Sequence, residues 1–147
     1  MRDINKKSPE RGAVLAELAI VLPFLLLILM GIIELGLLFY NQQVLTNASR
    51  EGARTGIARL DENSDTTFNK NDIDAVVVSY CQDRLITFGT VPPPTISLSP
   101  ALAGIDAGDP LTVAVSYDYT FFVPKLLKLG TGMKLTAETV MSMERVL

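Results

Sequence analysis

A long apolar run near the N-terminus constrains the fold of this chain more than any other feature. No charged residue lies between Leu18 and Ile33, and the apolar sequence resumes after Glu34, from Leu35 to Tyr40. A helix from Leu18 to Phe39 would be roughly 33 Å long at ~1.5 Å per residue, and the hydrocarbon core of a bilayer is about 30 Å thick. The run is therefore long enough to span a membrane as one helix.

Two other interpretations of this run fit less well. A core helix of a soluble protein has an apolar and a polar face, but this stretch is apolar all round. A cleaved secretory signal would also have basic residues in front, but its apolar core has only ~7–15 residues and a small-residue cleavage site follows it. Thr46, Asn47 and Ala48 form only a weak site of that kind. We therefore predict a transmembrane helix over residues 13–40.

Basic residues around the span predict its orientation. Four Lys or Arg residues precede it, and residues 41–46 after it carry none. Because the more basic flank stays in the cytoplasm, residues 1–12 are predicted to be a cytoplasmic leader, and the C-terminal part is predicted to be extracytoplasmic. Arg50, Arg54 and Arg59 reduce this asymmetry, although acidic residues are interspersed with them.

Composition argues against several classes of function. The formal net charge is −3 and no basic patch is present, so a nucleic-acid partner is not expected. Cys81 is the only cysteine and there is no histidine, which removes an intrachain disulfide and the usual pairs of nucleophile and base. Asp106 and Asp109 lie in a Gly/Pro-rich turn. We predict that the chain is not an enzyme and needs no cofactor or metal.

Residues 41–60 are predicted to extend the membrane helix into the outer domain. They contain no proline, and their apolar residues recur at three- and four-residue spacings. Within this stripe Ala48, Gly52 and Gly56 recur at every fourth position, which leaves a smooth groove. Outside the membrane, such a groove is expected to receive a sheet or a neighbouring helix.

The outer domain, residues 61–147, begins with a polar loop over 61–70 and a second helix. Asn71 or Asp72 can cap this helix, and Gly89 is placed to end it. The run from Val76 to Val78 would also suit a strand.

Strands are predicted after the prolines at 92–94. Residues 95–99, 111–122 and 134–144 are the candidates, and the second of them alternates apolar and polar residues most regularly. A small sheet with one apolar face needs a cover to be stable, which the helices can provide. The predicted fold is therefore α+β: a long N-terminal transmembrane helix that extends into a small outer domain, where an antiparallel sheet of three to four strands packs on helix.

A glycine and a carboxylate mark the membrane entrance. Gly12 lies at the edge of the apolar run, and Glu17 follows five residues later. An acidic residue at the centre of a membrane helix costs about 2.5–3.5 kcal/mol, so a carboxylate within the span suggests a function. Solvation of Glu17 among the lipid headgroups is an equally good interpretation on physical grounds alone.

The sequence also resembles the TadE-like family. The segments that carry the resemblance are Arg11–Gly12, Glu17, Pro23, the Gly-Ile-Ile-Glu-Leu-Gly of 31–36, and the Thr-Asn-Ala-Ser-Arg-Glu-Gly-Ala-Arg of 46–54. Leu135-Thr136-Ala137 and Glu144 near the C-terminus are similar to that family as well.

This resemblance implies a minor pilin, or pseudopilin, of the bacterial tight-adherence (Flp) pilus system. It implies an inner-membrane location and, as partners, membrane lipid, a prepilin peptidase, other pilins and Tad assembly proteins. The peptidase would cut between Gly12 and Ala13, and the new ammonium of Ala13 would lie one helical turn from Glu17. The alternative is an uncleaved, membrane-anchored component that binds pilus proteins through its outer domain. A membrane-anchored enzyme is the third possibility.

We also make predictions for two further residues of the span, Pro23 and Glu34. Pro23 lacks the N–H that would bond the preceding turn, so a kink or local unwinding is predicted there. Glu34 lies close to the outer interface, where we expect its carboxylate to be solvated.

Overall fold

The computed structural model describes residues 9–62, 70–88, 92–100, 109–128, 130 and 132–142. In chain order the elements are α1 (Pro9–Glu62), α2 (Lys70–Gln82), β1 (Thr95–Ser99), β2 (Pro110–Thr120), α3 (Val123–Leu126) and β3 (Gly132–Ser142). The predicted α+β class is confirmed, with a long apolar helix followed by a small antiparallel sheet that packs on helices. Most of the predicted leader and loop, the turn containing Asp106, and Gly89 and Glu144 lie outside the described residues.

The first helix, α1, contains 54 residues and joins the apolar segment to the folded part without a break. The helix also runs through Pro23 without interruption, so the local unwinding expected there does not occur.

The sheet has the order β1-β2-β3, and both strand pairs are antiparallel. Thr95 pairs with Ser116 in one ladder, and Thr120 pairs with Gly132 in the other. Three strands are present among the described residues, the lower of the two predicted numbers. The central strand ends at Thr120, two residues before its predicted end, because the chain turns there into the short helix α3.

The apolar face of β2 forms the centre of the core. Leu111, Val113, Val115, Tyr117 and Tyr119 are all at most 1 % exposed. They pack against buried residues of three other elements, which are Val44, Leu45, Ala48 and Ala53 of α1, Ile73, Val77 and Cys81 of α2, and Leu135 and Ala137 of β3. The core thus lies entirely beyond the apolar half of α1.

The second helix ends at Gln82, seven residues before the predicted end at Gly89. The amide of Leu85 still donates to the Cys81 carbonyl, and the Arg84 side chain donates to the Tyr80 carbonyl over 2.9 Å. The Arg84 guanidinium also lies 4.3 Å from the centre of the Tyr80 ring. These contacts satisfy two of the carbonyls that a helix end leaves free, so the helix ends here without a glycine.

Candidate functional site

The residues at the entrance of the apolar helix are exposed. Gly12, Ala13 and Glu17 all lie on the surface of α1, and a side chain at Gly12 would meet nothing within 4 Å. No hydrogen bond or ion pair joins Glu17 to another described residue. The bond between Gly12 and Ala13 lies within the described part of α1.

Most of the apolar part of α1 is exposed. Only 6 % of the most apolar stretch within Gly12–Ala58 is buried. Large apolar side chains such as Val14, Ile20 and Phe24 are more than 60 % exposed. A contiguous surface of this kind marks a site that contacts lipid or protein. Among the described residues, α1 is the one helix long and apolar enough to cross a membrane.

Glu34 is buried, so the expectation that it is solvated was wrong. Its side chain is 5 % exposed. One carboxylate oxygen accepts a hydrogen bond from the amide of Phe122, and the other accepts from the amide of Val123 at 3.1 Å. Both amides lie at the start of α3, where helical N–H groups have no partner within the helix. The carboxylate supplies those partners and fastens the β2–β3 connection to α1.

Three more polar side chains of α1 bind main-chain or hydroxyl groups of the outer domain. Asn41 is fully buried and exchanges two hydrogen bonds with the backbone of Ile86, at 2.6 and 2.9 Å. Gln42 donates to the Thr136 carbonyl at 2.9 Å. The Ser49 hydroxyl lies 2.7 Å from that of Thr139 and donates to the Thr46 carbonyl within α1. We call Glu34, Asn41, Gln42 and Ser49 the polar seam.

The polar seam was not predicted, although its spacing gave a signal. Glu34 and Asn41 are seven residues apart, as are Gln42 and Ser49, and seven residues bring a helix back to nearly the same face. Polar groups that share a face with the apolar stripe of the extension are expected to be buried and hydrogen-bonded. Their partners are mostly backbone groups, which the sequence does not distinguish.

The small residues of the extension lie at the centre of the packing. Ala48 is fully buried, and Gly52 and Gly56 are buried as well. A Cβ at Gly52 would lie 2.7 Å from Val77 Cγ2, 3.3 Å from Ile73 Cγ2 and 3.4 Å from Val113 Cγ1. Gly52 thus lets α1 approach α2 and the sheet at the same point.

Burial raises the pKa values of titratable groups in the core. Burial raises the pKa of Cys81 to about 11, and the nearby Arg84 opposes this only in part. A buried thiol with a raised pKa is a poor nucleophile. Burial also raises the pKa of Tyr119, and the charge of Glu34 raises it further. The described residues include no group of acidic, Cys or His side chains that could hold a metal ion.

Fold and site together define a protein with a membrane-capable helix and a small α+β domain that packs on the C-terminal part of that helix. The family model described as TadE-like protein matches residues 12–54, which confirms the predicted resemblance over that segment. The match includes Gly12, Glu17 and all four residues of the polar seam. No curated protein and no solved structure matches the chain.

Proposed function

We propose that this chain is a minor pilin-like subunit of a Flp/Tad pilus assembly and secretion system. The observation that carries the proposal is the TadE-like match at residues 12–54, which begins at Gly12 and covers the exposed apolar helix. Such a family is structural, so the proposed role is assembly and not catalysis.

In this proposal α1 spans the bacterial inner membrane. The basic N-terminus lies in the cytoplasm, and the sheet domain lies on the extracytoplasmic side. The exposure of the apolar helix in the isolated chain supports membrane insertion, because lipid removes that surface from water. The proposed protein partners are a prepilin peptidase, other pilins and Tad assembly proteins.

Maturation would consist of cleavage between Gly12 and Ala13. A peptidase must bring its catalytic groups against the backbone there, and the open space around Gly12 leaves the backbone accessible. The cut would create an ammonium group on Ala13. Glu17, exposed and one turn further along the helix, can then pair with that ammonium or with the ammonium of a neighbouring subunit.

Intact-mass measurement of the membrane-extracted protein tests this proposal. The wild-type chain is expected to lack residues 1–12, whereas Gly12→Val should retain them because the added side chain obstructs the peptidase. Gly31→Val is the matched control, since it introduces the same side chain into α1 at another position with nothing within 4 Å. It should be cleaved like wild type.

Cleavage of Gly12→Val at the wild-type position would refute this processing site. If the wild-type chain itself retains residues 1–12 in cells with an active peptidase, the uncleaved assembly component becomes the better proposal. That protein would act through its outer domain, which the family match does not cover.

A further inference from the structure

The connection between β2 and β3 lies beside the apolar half of α1, whereas the rest of the domain packs on the C-terminal half of that helix. We call residues 121–128 the β2–β3 loop; they include α3. Phe122, Val123 and Leu127 face Pro23, Leu26, Leu27 and Met30 of α1 across an apolar crevice of about 250 Å³. Phe122 and Leu127 are 40 % and 44 % exposed. The loop thus presents apolar side chains to the surroundings at the level of the predicted span.

The position of the crevice along α1 indicates that this loop lies within the bilayer. If the loop remained in water, only residues 13–22 below Pro23 would be left to cross the membrane. Ten helical residues are about 15 Å long, which is half of the roughly 30 Å that the hydrocarbon core requires. Even a span of about 20 residues that begins at Ala13 reaches Ile33 and so includes the positions of Pro23 and Met30. The crevice therefore lies within the bilayer, and the loop enters it from the side of the sheet domain.

Four amides of the loop already have acceptors inside the protein, which lowers the cost of placing this backbone in lipid. The amides of Phe122 and Val123 donate to Glu34, and Pro124 has no amide hydrogen. The amide of Leu127 donates to the Val123 carbonyl at 3.1 Å, and that of Lys128 donates to the Lys125 carbonyl at 3.2 Å. Glu34 thus supplies the acceptors for two amides that would otherwise need water.

We propose that the β2–β3 loop inserts into the membrane leaflet on the side of the sheet domain, and that a phospholipid acyl chain fills the crevice between the loop and α1. The crevice is continuous with the exposed apolar surface of α1, which favours lipid as its occupant. Lys125 and Lys128 are exposed, and their long side chains can extend to the phosphates of the headgroups. The inference rests on the membrane insertion of α1 proposed above.

Tryptophan fluorescence in vesicles tests the insertion. The chain contains no tryptophan, so each substitution introduces a single tryptophan into the full-length protein, and its emission can be excited apart from that of the tyrosines. Phe122→Trp reports on the loop, and Leu25→Trp reports on the apolar helix. Val140→Trp is the matched control, because Val140 is an apolar residue of β3 that is 58 % exposed and lies far along the sheet from the loop. Leu127→Trp is a second loop variant in case Phe122→Trp unfolds.

The vesicles contain phosphatidylcholine and phosphatidylglycerol, with bromine atoms on the acyl chains as the quencher. The inference predicts that the Phe122→Trp emission is quenched as strongly as that of Leu25→Trp and severalfold more than that of Val140→Trp. Strong quenching of Leu25→Trp together with weak quenching of both loop variants would overturn the inference and leave the membrane span intact. If a loop variant then crosslinks to another copy of the chain, protein occupies the crevice. Weak quenching of Leu25→Trp would overturn the membrane span and this inference with it.

Discussion

At the scale of single residues, Glu34 shows how a carboxylate can be retained in an apolar helix. Its two oxygens accept from two consecutive amides that no other group of the short helix α3 can satisfy. Hydrogen bonds to an ionised acceptor stabilise by roughly 1.5–3 kcal/mol, more than neutral ones. Glu34 therefore stabilises the folded state by linking α1 to the β2–β3 loop.

Replacement of Glu34 by glutamine is expected to destabilise the protein. Glutamine keeps the shape but has only one acceptor oxygen, and its amide group would face a second N–H donor. An unsatisfied buried donor costs about 1–3 kcal/mol. Glu34→Gln should therefore lower the unfolding temperature of the full chain in detergent, measured by circular dichroism. Glu51→Gln, at an exposed position on the same helix, is the control and should change stability by less than about 0.5 kcal/mol. Equal unfolding temperatures for the two variants would contradict the role given to Glu34.

At the scale of elements, the packing of α1 depends on the space at Gly52. Leucine at this position would place its Cβ 2.7 Å from Val77 Cγ2, and the rest of the side chain would have to displace α2 or the sheet. Leucine has the better helix propensity by about 1 kcal/mol, but overpacking of a core costs typically 1–3 kcal/mol. We expect net destabilisation of Gly52→Leu in the same unfolding measurement.

Gly36→Leu is the matched control for this prediction, because a Cβ at Gly36 meets nothing within 4 Å. It gains the same propensity without a clash, so it should not lower the unfolding temperature. Should Gly52→Leu be as stable as Gly36→Leu, the contact between α1 and α2 would have to be looser than the structure shows.

A helix or strand was predictable where the residue pattern within that element specifies it. The alternation from Leu111 to Tyr119 predicted both the strand β2 and its buried face, because side chains of a strand point alternately to opposite sides. The end of α2 was not predictable in the same way. The Arg84 side chain binds the Tyr80 carbonyl at that end, and this is one of several local endings that the sequence permits.

The partners of the polar seam lie beyond what sequence patterns can show. Glu34 and its donors are 88 and 89 residues apart, and the donors are backbone amides that almost any residue would supply. The charge of Glu34 suggested an interface, but only the packing of the β2–β3 loop shows that the carboxylate is covered. Gly12 and Glu17, in contrast, carry a local motif that can be found without a structure.

At the scale of the whole molecule, the orientation in the membrane can be tested with a thiol introduced on the outer domain. Val140→Cys places a thiol on the exposed side of β3, where a membrane-impermeant maleimide added to spheroplasts should label it. The wild-type chain is the control, because Cys81 is fully buried and its pKa is raised to about 11. It should stay unlabelled near neutral pH. Labelling of Val140→Cys only after lysis would reverse the proposed orientation.

A variant that folds normally but fails to assemble gives the most direct test of the proposed pilin role. Glu17 is exposed and lies outside the packed domain, so Glu17→Gln should be inserted, cleaved, and as stable as wild type. If Glu17 pairs with the ammonium of Ala13 on a neighbouring subunit in lipid, its loss leaves a charge unpaired, which can cost about 3–5 kcal/mol.

We therefore expect Glu17→Gln to be poorly recovered in crosslinked complexes and defective in pilus-dependent adherence. Glu17→Asp, which keeps the charge, should retain part of both properties. Glu34→Gln provides the opposite comparison, because its defect should appear first as a lower unfolding temperature. Normal assembly of Glu17→Gln would rule out the pairing proposed for this carboxylate, whatever the outcome of the cleavage experiment at Gly12.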